Sequence, residues 1–133
     1  MTTFILGNII GFMVFFVSII APTIFKIFNA QQAGKFLRLF FPKYYFFGAF
    51  ISVLGLFSSI YEQSLILIIS FAFLIFTFLF LRQILTPAIN NAKDMNLIKK
   101  FEKLHKCSVI LNCMQIFLCF FLFLNSQIMH YEL

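Results

Sequence analysis

Four long stretches of the chain are dominated by apolar residues and contain no aspartate, glutamate, lysine or arginine. They cover residues 1–25, 44–61, 63–81 and 107–131. A hydrocarbon core about 30 Å thick needs about 20 helical residues, and each stretch is near that length. The pattern predicts an all-α, polytopic membrane protein that forms one domain over residues 1–133. We expect its four transmembrane helices at about residues 4–25, 44–61, 63–86 and 106–128.

The overall composition supports this class of protein. Apolar residues make up 62% of the chain and charged residues 11%, and 23 of the 133 residues are phenylalanine. A water-soluble domain of this length could not cover so much apolar surface with polar side chains. The first stretch is expected to be a retained helix and not a cleaved signal peptide, because no basic residue precedes it and Ala21-Pro22 is a poor cleavage context.

All the basic side chains lie around two of the connections between helices. Four lie between the first and second predicted helices and six between the third and fourth: Lys26, Lys35, Arg38, Lys43, Arg82, Lys93, Lys99, Lys100, Lys103 and Lys106. The other side of the membrane carries Glu62, His130 and Glu132. Since basic loops stay in the cytoplasm, we expect both termini outside a bacterial inner membrane and both basic connections inside it.

The net charge of +6 is explained by contact with anionic lipid headgroups, which contribute about 1 kcal/mol per basic residue, and it predicts no nucleic-acid partner. The candidate headgroup contacts are Lys35, Arg38, Lys99, Lys100 and Lys103. Apolar side chains alternate with these residues at helical spacing, which predicts short amphipathic segments lying at the membrane surface. Pro22 and Pro87 are expected to act as hinges where the chain bends into these cytoplasmic elbows.

The two halves of the chain resemble one another at an offset of 65 positions. Residues 85–105 align without a gap with the segment around residues 20–40, and Pro87 falls on Pro22. We therefore predict two similar helical hairpins, over about residues 1–65 and 66–133. Both hairpins have the same orientation, so their symmetry axis is expected along the membrane normal.

One face of the fourth predicted helix carries polar side chains at spacings of three, four and three residues. They are His105, Ser108, Asn112 and Gln115. The first half of the chain has phenylalanine where His105 and Asn112 stand, so this stripe belongs to the second hairpin. The third helix ends with Arg82, Thr86 and Asn90, spaced by four residues, and Asp94 follows them. Polar side chains in a membrane are tolerated when they face the interior of the bundle and find partners there. Together these side chains predict a polar pocket that opens toward the cytoplasm.

Each of the main residues of this predicted pocket fits two different roles. Asn112 and Gln115 fit interhelical hydrogen bonds of about 0.6 kcal/mol each as well as a ligand or ion site. His105 is either an interfacial residue beside four lysines or a group that titrates, binds a ligand or binds a metal. Arg82 is either an end residue that extends toward the headgroups or a contact for an anion. The sequence predicts no other metal ligand.

Small residues indicate where helices approach closely. The second helix carries Gly48, Ser52, Gly55 and Ser59 along one face. Such a face lets another helix pack tightly, and Gly7, Asn8 and Gly11 form a second candidate packing patch on the first helix. The three cysteines, Cys107, Cys113 and Cys119, fit neither a redox pair nor a zinc site and are interpreted as structural.

Two segments, LTPAINNAKD and FEKLHKCSVILN, resemble the transmembrane-protein-205-like family of small four-helix membrane proteins. The pattern consists of the TPAIN segment with Asp94, and of Phe101, Leu104, His105, Ser108 and Asn112. The resemblance implies a four-helix inner-membrane protein without a particular activity. More remotely, the chain is similar to copper-resistance CopD-type and HemJ-type protoporphyrinogen oxidase proteins, which implies haem or porphyrin as a candidate cofactor. One subunit cannot hold haem between His105 and His130, because 25 helical residues at about 1.5 Å each place them on opposite membrane faces.

Three functions fit these observations. The first is the binding or transport of a ligand or ion by the polar face of the fourth helix. For this function we expect no resident cofactor, and a homo-oligomer is a candidate assembly. The second is a membrane redox enzyme linked to porphyrin, haem or quinone, with His105 as its ligand or acid/base group. The third is a non-catalytic membrane assembly protein. An ordinary hydrolase is not expected, because the sequence has no paired carboxylates or nucleophile triad.

Overall fold

Four long helices make up the protein. The structure is a computed structural model that describes the backbone of residues 1–131 and the side chains of residues 1–126. The helices are α1 (Thr2–Ile27), α2 (Ala30–Tyr61), α3 (Leu65–Asp94) and α4 (Ile98–Tyr131). Each is long and apolar enough to cross a membrane, so the prediction of a four-helix membrane bundle is confirmed. Glu132 and the side chain of His130, which the charge pattern placed outside, lie beyond the described residues.

Short connections join the helices into an antiparallel bundle. Each helix packs against the next one, and α4 closes the ring against α1. The α1–α2 and α3–α4 connections therefore lie at the same end of the bundle. All ten lysine and arginine residues are in the half of the bundle nearest this end, which we call the basic end.

Two of the helices begin earlier than the sequence pattern predicted. The segments expected to be separate amphipathic helices form the first turns of α2, which starts at Ala30, and of α4, which starts at Ile98. A capping box starts α2: the Asn29 side chain accepts a bond from the Gln32 amide at 2.9 Å, and the Gln32 side chain accepts one from the Asn29 amide at 3.2 Å. With its first turn stabilised in this way, the basic segment continues directly into the membrane helix.

The two prolines expected to be hinges each follow a wide helical turn. The turns cover Phe16–Ile20 and Leu81–Leu85, and each is closed by a backbone bond to the carbonyl five residues earlier. A proline has no N–H, and its ring collides with the carbonyl four residues before it, which a wider turn relieves. Neither helix ends at its proline, Pro22 or Pro87, because both continue to Ile27 and Asp94. The prolines thus distort the helices, and the chain reverses further along.

The outer surface of the bundle carries exposed apolar side chains on all four helices. Large side chains such as Phe57, Phe76 and Phe117 are 67%, 67% and 72% exposed. In water such a surface would aggregate, whereas lipid tails solvate it. The inside is also apolar over most of its length: Leu6, Ile9, Met13, Phe71, Leu74, Phe78 and Leu81 are fully buried.

The small-residue face of α2 packs against α3, as predicted. Gly48, Ser52, Gly55 and Ser59 are all buried there. Two phenylalanine rings of α3 fill the space over the glycines: a Cβ on Gly48 would lie 2.6 Å from the Phe78 ring, and one on Gly55 would overlap the Phe71 ring. Both rings are fully buried, so α2 and α3 can come this close only because the glycines have no side chains.

The second small-residue patch is only partly buried inside the bundle. Asn8 and Gly11 are exposed, and a Cβ on Gly11 would meet no atom within 4 Å. The Asn8 amide donates to the Phe4 carbonyl of its own helix at 2.8 Å. Gly7 is half-buried, and a Cβ on it would lie 3.6 Å from the Phe123 ring of α4, so this part of the patch does pack against a neighbouring helix.

Hydrogen bonds hold the helices together at the end opposite the basic end. The Thr2 hydroxyl in α1 donates to the Glu62 carboxylate at 2.8 Å and shares a bond of 2.7 Å with the Ser58 hydroxyl of α2. On the other side of α1, the Thr3 hydroxyl donates to the Ser126 hydroxyl of α4 at 3.0 Å. Three helices are thus bonded to each other at this end.

We expect the Glu62 contacts to make stability depend on pH. Burial acts to raise the pKa of Glu62, but bonds from Thr2 and Ser58 outweigh it and hold the pKa below its usual range. A lowered folded-state pKa adds stability above the ordinary value of about 4.3, and this stability is lost as the pH falls through the folded-state pKa. Apparent melting temperatures between pH 7 and pH 3 should therefore fall less for Glu62→Gln than for the wild type. Glu102→Gln, at an exposed site near the basic end, is the matched control, and equal profiles for all three proteins would contradict this account.

Candidate functional site

A cavity of about 560 Å³ lies at the basic end of the bundle, and all four helices or their ends contribute to its lining. Its polar lining consists of Arg38, Tyr45, Thr86, Asn90, Lys93, His105 and Ser108. Its apolar lining consists of Phe25, Phe28, Ala30, Ala33, Gly34, Leu37, Phe41, Ile89 and Phe101. Pockets for small ligands commonly measure about 300–1,000 Å³ and combine apolar walls with a few polar groups. The cavity has both properties.

Helical periodicity places five of the seven polar lining residues on one side each of α3 and α4. On α3, Thr86, Asn90 and Lys93 follow one another at spacings of four and three residues, which puts them on one side of the helix. On α4, His105 and Ser108 lie one turn apart. The wide turn that ends at Leu85 comes directly before Thr86, so the backbone distortion lies at the deep end of the α3 wall.

His105 lies at the mouth of the cavity against an aromatic ring. Its imidazole stacks on Phe101, with ring centres 5.9 Å apart and planes within 5° of parallel. The side chain is exposed to solvent, and its backbone carbonyl accepts a bond of 2.7 Å from the Ser108 hydroxyl. The imidazole nitrogens make no hydrogen bond to the described residues, so they can contact a ligand at the mouth.

The floor of the cavity is Tyr45, which is 3% exposed. The Asn112 amide lies beneath it and donates to the Tyr45 hydroxyl at 3.2 Å and to the Ser108 carbonyl at 2.7 Å. Asn112 is therefore not part of the cavity surface. It holds the floor residue of α2 against α4.

Gln115 lies one turn deeper and is fully buried. Its amide nitrogen donates to the Thr77 hydroxyl at 2.7 Å, while its amide oxygen has no hydrogen-bond partner among the described residues. From His105 to Gln115 the stripe covers ten residues, or about 15 Å, which is half of a hydrocarbon core about 30 Å thick. The next buried residues of α4 on this face are Cys119 and Leu122, within the apolar core. The polar stripe thus ends near the middle of the bundle.

Basic side chains complete the upper wall. The Lys93 ammonium lies over Gly34 of α2, so that a Cβ on Gly34 would be 2.7 Å from its nitrogen. Arg38 forms a two-pronged ion pair with Asp94 across the rim, with nitrogen–oxygen distances of 2.7 and 3.0 Å. These side chains are 41% and 57% exposed, and the pair joins α2 to the last residue of α3.

The structure brings together part of the predicted pocket. Thr86, Asn90, His105 and Ser108 line the cavity, Asn112 and Gln115 lie beneath it, and Asp94 lies at its rim. Arg82 lies elsewhere. Its Nε donates to the Pro42 carbonyl at 3.2 Å, and its guanidinium is 5.3 Å from the centre of the Phe46 ring, so it joins α3 to α2.

Sequence reasoning missed three polar residues of the lining. Lys93 continues the spacing of Thr86 and Asn90, so the same periodicity could have found it. Arg38 had been assigned to the lipid headgroups, and Tyr45 had been counted as part of an apolar helix. No local signal identifies these two, because their position depends on how α2 is rotated against α3 and α4.

Residues that could hold a metal ion are not clustered in the described part of the chain. Within it, no three histidine, cysteine, aspartate or glutamate side chains come together. Cys107 and Cys113 are exposed and Cys119 is buried, and all three are free thiols.

The fold and the cavity define a multi-pass membrane protein with a polar pocket at one end of a four-helix bundle. Residues 4–97 match the family described as Domain of unknown function (DUF4149), and the chain belongs to this family. No curated protein and no solved structure matches the chain. The matched region contains α1, α2, α3 and the α3 wall of the cavity, and it ends just before α4.

Proposed function

We propose that the protein binds a small amphipathic ligand in the cavity at its basic end. The observation that carries this proposal is the composition of the lining, which combines Thr86, Asn90 and Lys93 with aromatic and aliphatic side chains. A ligand with one polar and one apolar part would match both. The volume of about 560 Å³ suits a small molecule or the head and first carbons of a lipid.

We further propose that the basic end faces the cytoplasm of a bacterial inner membrane, so that both termini lie outside. The ten basic residues near this end support that orientation through the bias of lysine and arginine toward the cytoplasmic side. Lys35, Lys99, Lys100 and Lys103 are exposed there and are placed to contact anionic lipid headgroups. The cavity would then open at the level of the inner headgroups.

Binding is favoured over transport through a single chain. The polar stripe of α4 stops at Gln115, and hydrogen bonds join the helices at the opposite end through Thr2, Ser58 and Glu62. A transport cycle would have to open that end and create a path through the apolar core. We therefore propose that a homo-oligomer would be required if the protein moves its ligand across the membrane.

We also propose that the chain arose from two copies of one hairpin. The wide turns at Phe16–Ile20 and Leu81–Leu85 support this proposal, because they are 65 positions apart, the same offset that aligns the two halves of the sequence. We also propose that the chain is related to the transmembrane-protein-205-like proteins that it resembles. Part of the pattern that carries this resemblance, from Phe101 to Asn112, lies outside the residues that match the family.

Filling the cavity should abolish ligand binding. Asn90 lines the cavity and makes no hydrogen bond to the described residues, so Asn90→Trp puts a large ring into the cavity without breaking a contact. Native mass spectrometry in neutral detergent should detect a 1:1 complex of the wild type with decyl phosphate, with uncharged 1-O-decylglycerol, or with both. We expect Asn90→Trp to weaken that complex by at least about tenfold.

The neighbouring residue supplies a matched control. Asn91 is exposed and does not line the cavity, so Asn91→Trp should bind like the wild type. No complex with either probe, or a complex that Asn90→Trp leaves intact, would contradict the proposal. An absorption spectrum from 350 to 650 nm of the same sample tests the haem or porphyrin form of the redox alternative, which requires a Soret band that is lost in His105→Ala.

A further inference from the structure

We infer that the ligand of the cavity is an anionic amphiphile, with a phosphate or carboxylate head group on an apolar body, and that Lys93 binds the head group. This inference rests on the proposed function and adds the chemical class of the ligand. The Lys93 ammonium, the free donors beside it and the apolar side chains of the lining meet in one cavity.

The permanently charged side chains that line the cavity are all basic. They are Arg38 and Lys93, and no carboxylate of the described residues lines it. Asp94 is next to Lys93 in sequence, but both of its oxygens accept bonds from Arg38 at the rim. Lys93 forms no ion pair within the described chain, and apolar walls strengthen the field of its charge inside the cavity. An anion is therefore the ligand that this charge favours.

Unused hydrogen-bond donors lie in a row below the Lys93 ammonium. The Asn90 amide and the Thr86 hydroxyl are on the same side of α3, and neither makes a hydrogen bond to the described residues. Thr86 is 7% exposed and lines the cavity. A phosphate or carboxylate supplies several acceptor oxygens at once, which can accept bonds from both donors.

Gly34 gives the Lys93 ammonium its position. Because Gly34 has no side chain, the ammonium can approach the α2 backbone to a point 2.7 Å from where a Cβ would be. In this position the ammonium of the exposed Lys93 side chain lies close to both α2 and α3. A head group bound there would contact both helices.

The apolar body has its own surface. Phe28, Leu37 and Phe41 line the cavity from the end of α1 and from α2, while the polar side chains Thr86, Asn90 and Lys93 come from α3. A free anion such as inorganic phosphate would leave the apolar side chains in contact with water. An alkyl or isoprenoid chain would cover them, which favours an amphiphile over a simple ion.

The test compares two probes that differ in charge. The full chain in neutral detergent is titrated with decyl phosphate and with 1-O-decylglycerol and analysed by native mass spectrometry. We expect decyl phosphate to bind at least about tenfold more tightly, as a charge-assisted hydrogen bond implies. Lys93→Gln should remove this preference, and Lys99→Gln, at an exposed lysine outside the lining, should keep it.

A second substitution moves the ammonium without removing its charge. In Gly34→Ala the new Cβ would displace the Lys93 nitrogen, and because that side chain is exposed and flexible the fold should tolerate the shift. We expect Gly34→Ala to weaken decyl phosphate binding while leaving the apparent melting temperature close to that of the wild type. An effect on binding of 1-O-decylglycerol equal to that on decyl phosphate would contradict a head-group contact at Lys93.

The outcomes separate the inference from the proposed function. Equal binding of both probes, unchanged in Lys93→Gln, would overturn the inference and leave the binding function standing, whereas binding of neither probe would overturn both. If inorganic phosphate bound as tightly as decyl phosphate, the claim that the ligand is an amphiphile would be contradicted. Competition by phosphatidylglycerol would identify a bilayer lipid as the source of the anionic head group. Failure of that lipid to compete would identify a single-chain ligand, and both results agree with the inference.

Discussion

Gly55→Ala is expected to lower the free energy of unfolding by about 1–3 kcal/mol, the usual cost of inserting a methyl group into a packed core. The new Cβ would overlap the Phe71 ring, which is fully buried and has no space to move into. Gly48→Ala should have a similar effect through Phe78, since its Cβ would lie 2.6 Å from that ring. Equilibrium unfolding in mixed micelles with increasing sodium dodecyl sulfate measures the change.

Gly11→Ala is the matched control for this prediction. The substitution is chemically the same and lies in a membrane helix, but no atom is within 4 Å of the new Cβ. Alanine also has a higher helix propensity than glycine, so the change should be neutral or slightly stabilising. If Gly11→Ala and Gly55→Ala destabilised the protein equally, the close approach of α2 and α3 would not be the cause.

The second large effect is expected beneath the cavity. Thr77→Val should cost about 1–3 kcal/mol, because it removes the partner of the Gln115 amide and leaves that fully buried group without a hydrogen bond. Gln115→Leu should be neutral or stabilising, because it also removes the amide oxygen that lacks a partner. The Thr77 hydroxyl remains bonded to the Phe73 and Leu74 carbonyls at 3.0 Å in that variant.

A double-mutant cycle measures this pair directly. The variant Thr77→Val with Gln115→Leu should recover most of the stability lost in Thr77→Val, because both polar groups are then replaced together. A larger loss in Gln115→Leu than in Thr77→Val would contradict this assignment. Measuring the affinity of Gln115→Leu for decyl phosphate then tests whether Gln115 has a role in binding. If its role is only structural, the affinity should equal that of the wild type.

The two ends of the bundle differ in the side-chain bonds that join the helices. At the end opposite the basic end, the bonds of Thr2 and Thr3 join α1 to both α2 and α4. At the basic end, the exposed pair of Arg38 and Asp94 joins α2 to α3, and exposed ion pairs contribute about 0–1 kcal/mol. Arg82 and Asn112 add bonds to α2 in the same half of the bundle, through the Pro42 carbonyl and the Tyr45 hydroxyl.

Much of the fold follows from local properties of the sequence. The thickness of a bilayer sets the length of an apolar span, so four spans could be read from the chain. The helical repeat puts residues three and four apart on one face. This was sufficient to predict the buried face of Gly48 and Gly55 on α2 and the association of Thr86 with His105 at one end of the bundle.

The tertiary structure decided how the helices are positioned against each other, which these local rules do not specify. Periodicity identifies a face of a helix, but it does not set how far two helices slide or rotate against each other. That rotation turns Arg38 into the cavity, brings Lys93 over Gly34, and carries Arg82 away to the Pro42 carbonyl. The pairing of Gln115 with Thr77 likewise depends on how α4 packs against α3, since the two residues are 38 positions apart in sequence. The sequence thus determined the four spans and the helix faces that carry small or polar side chains, and the packing of α2 against α3 and α4 determined which of these side chains meet.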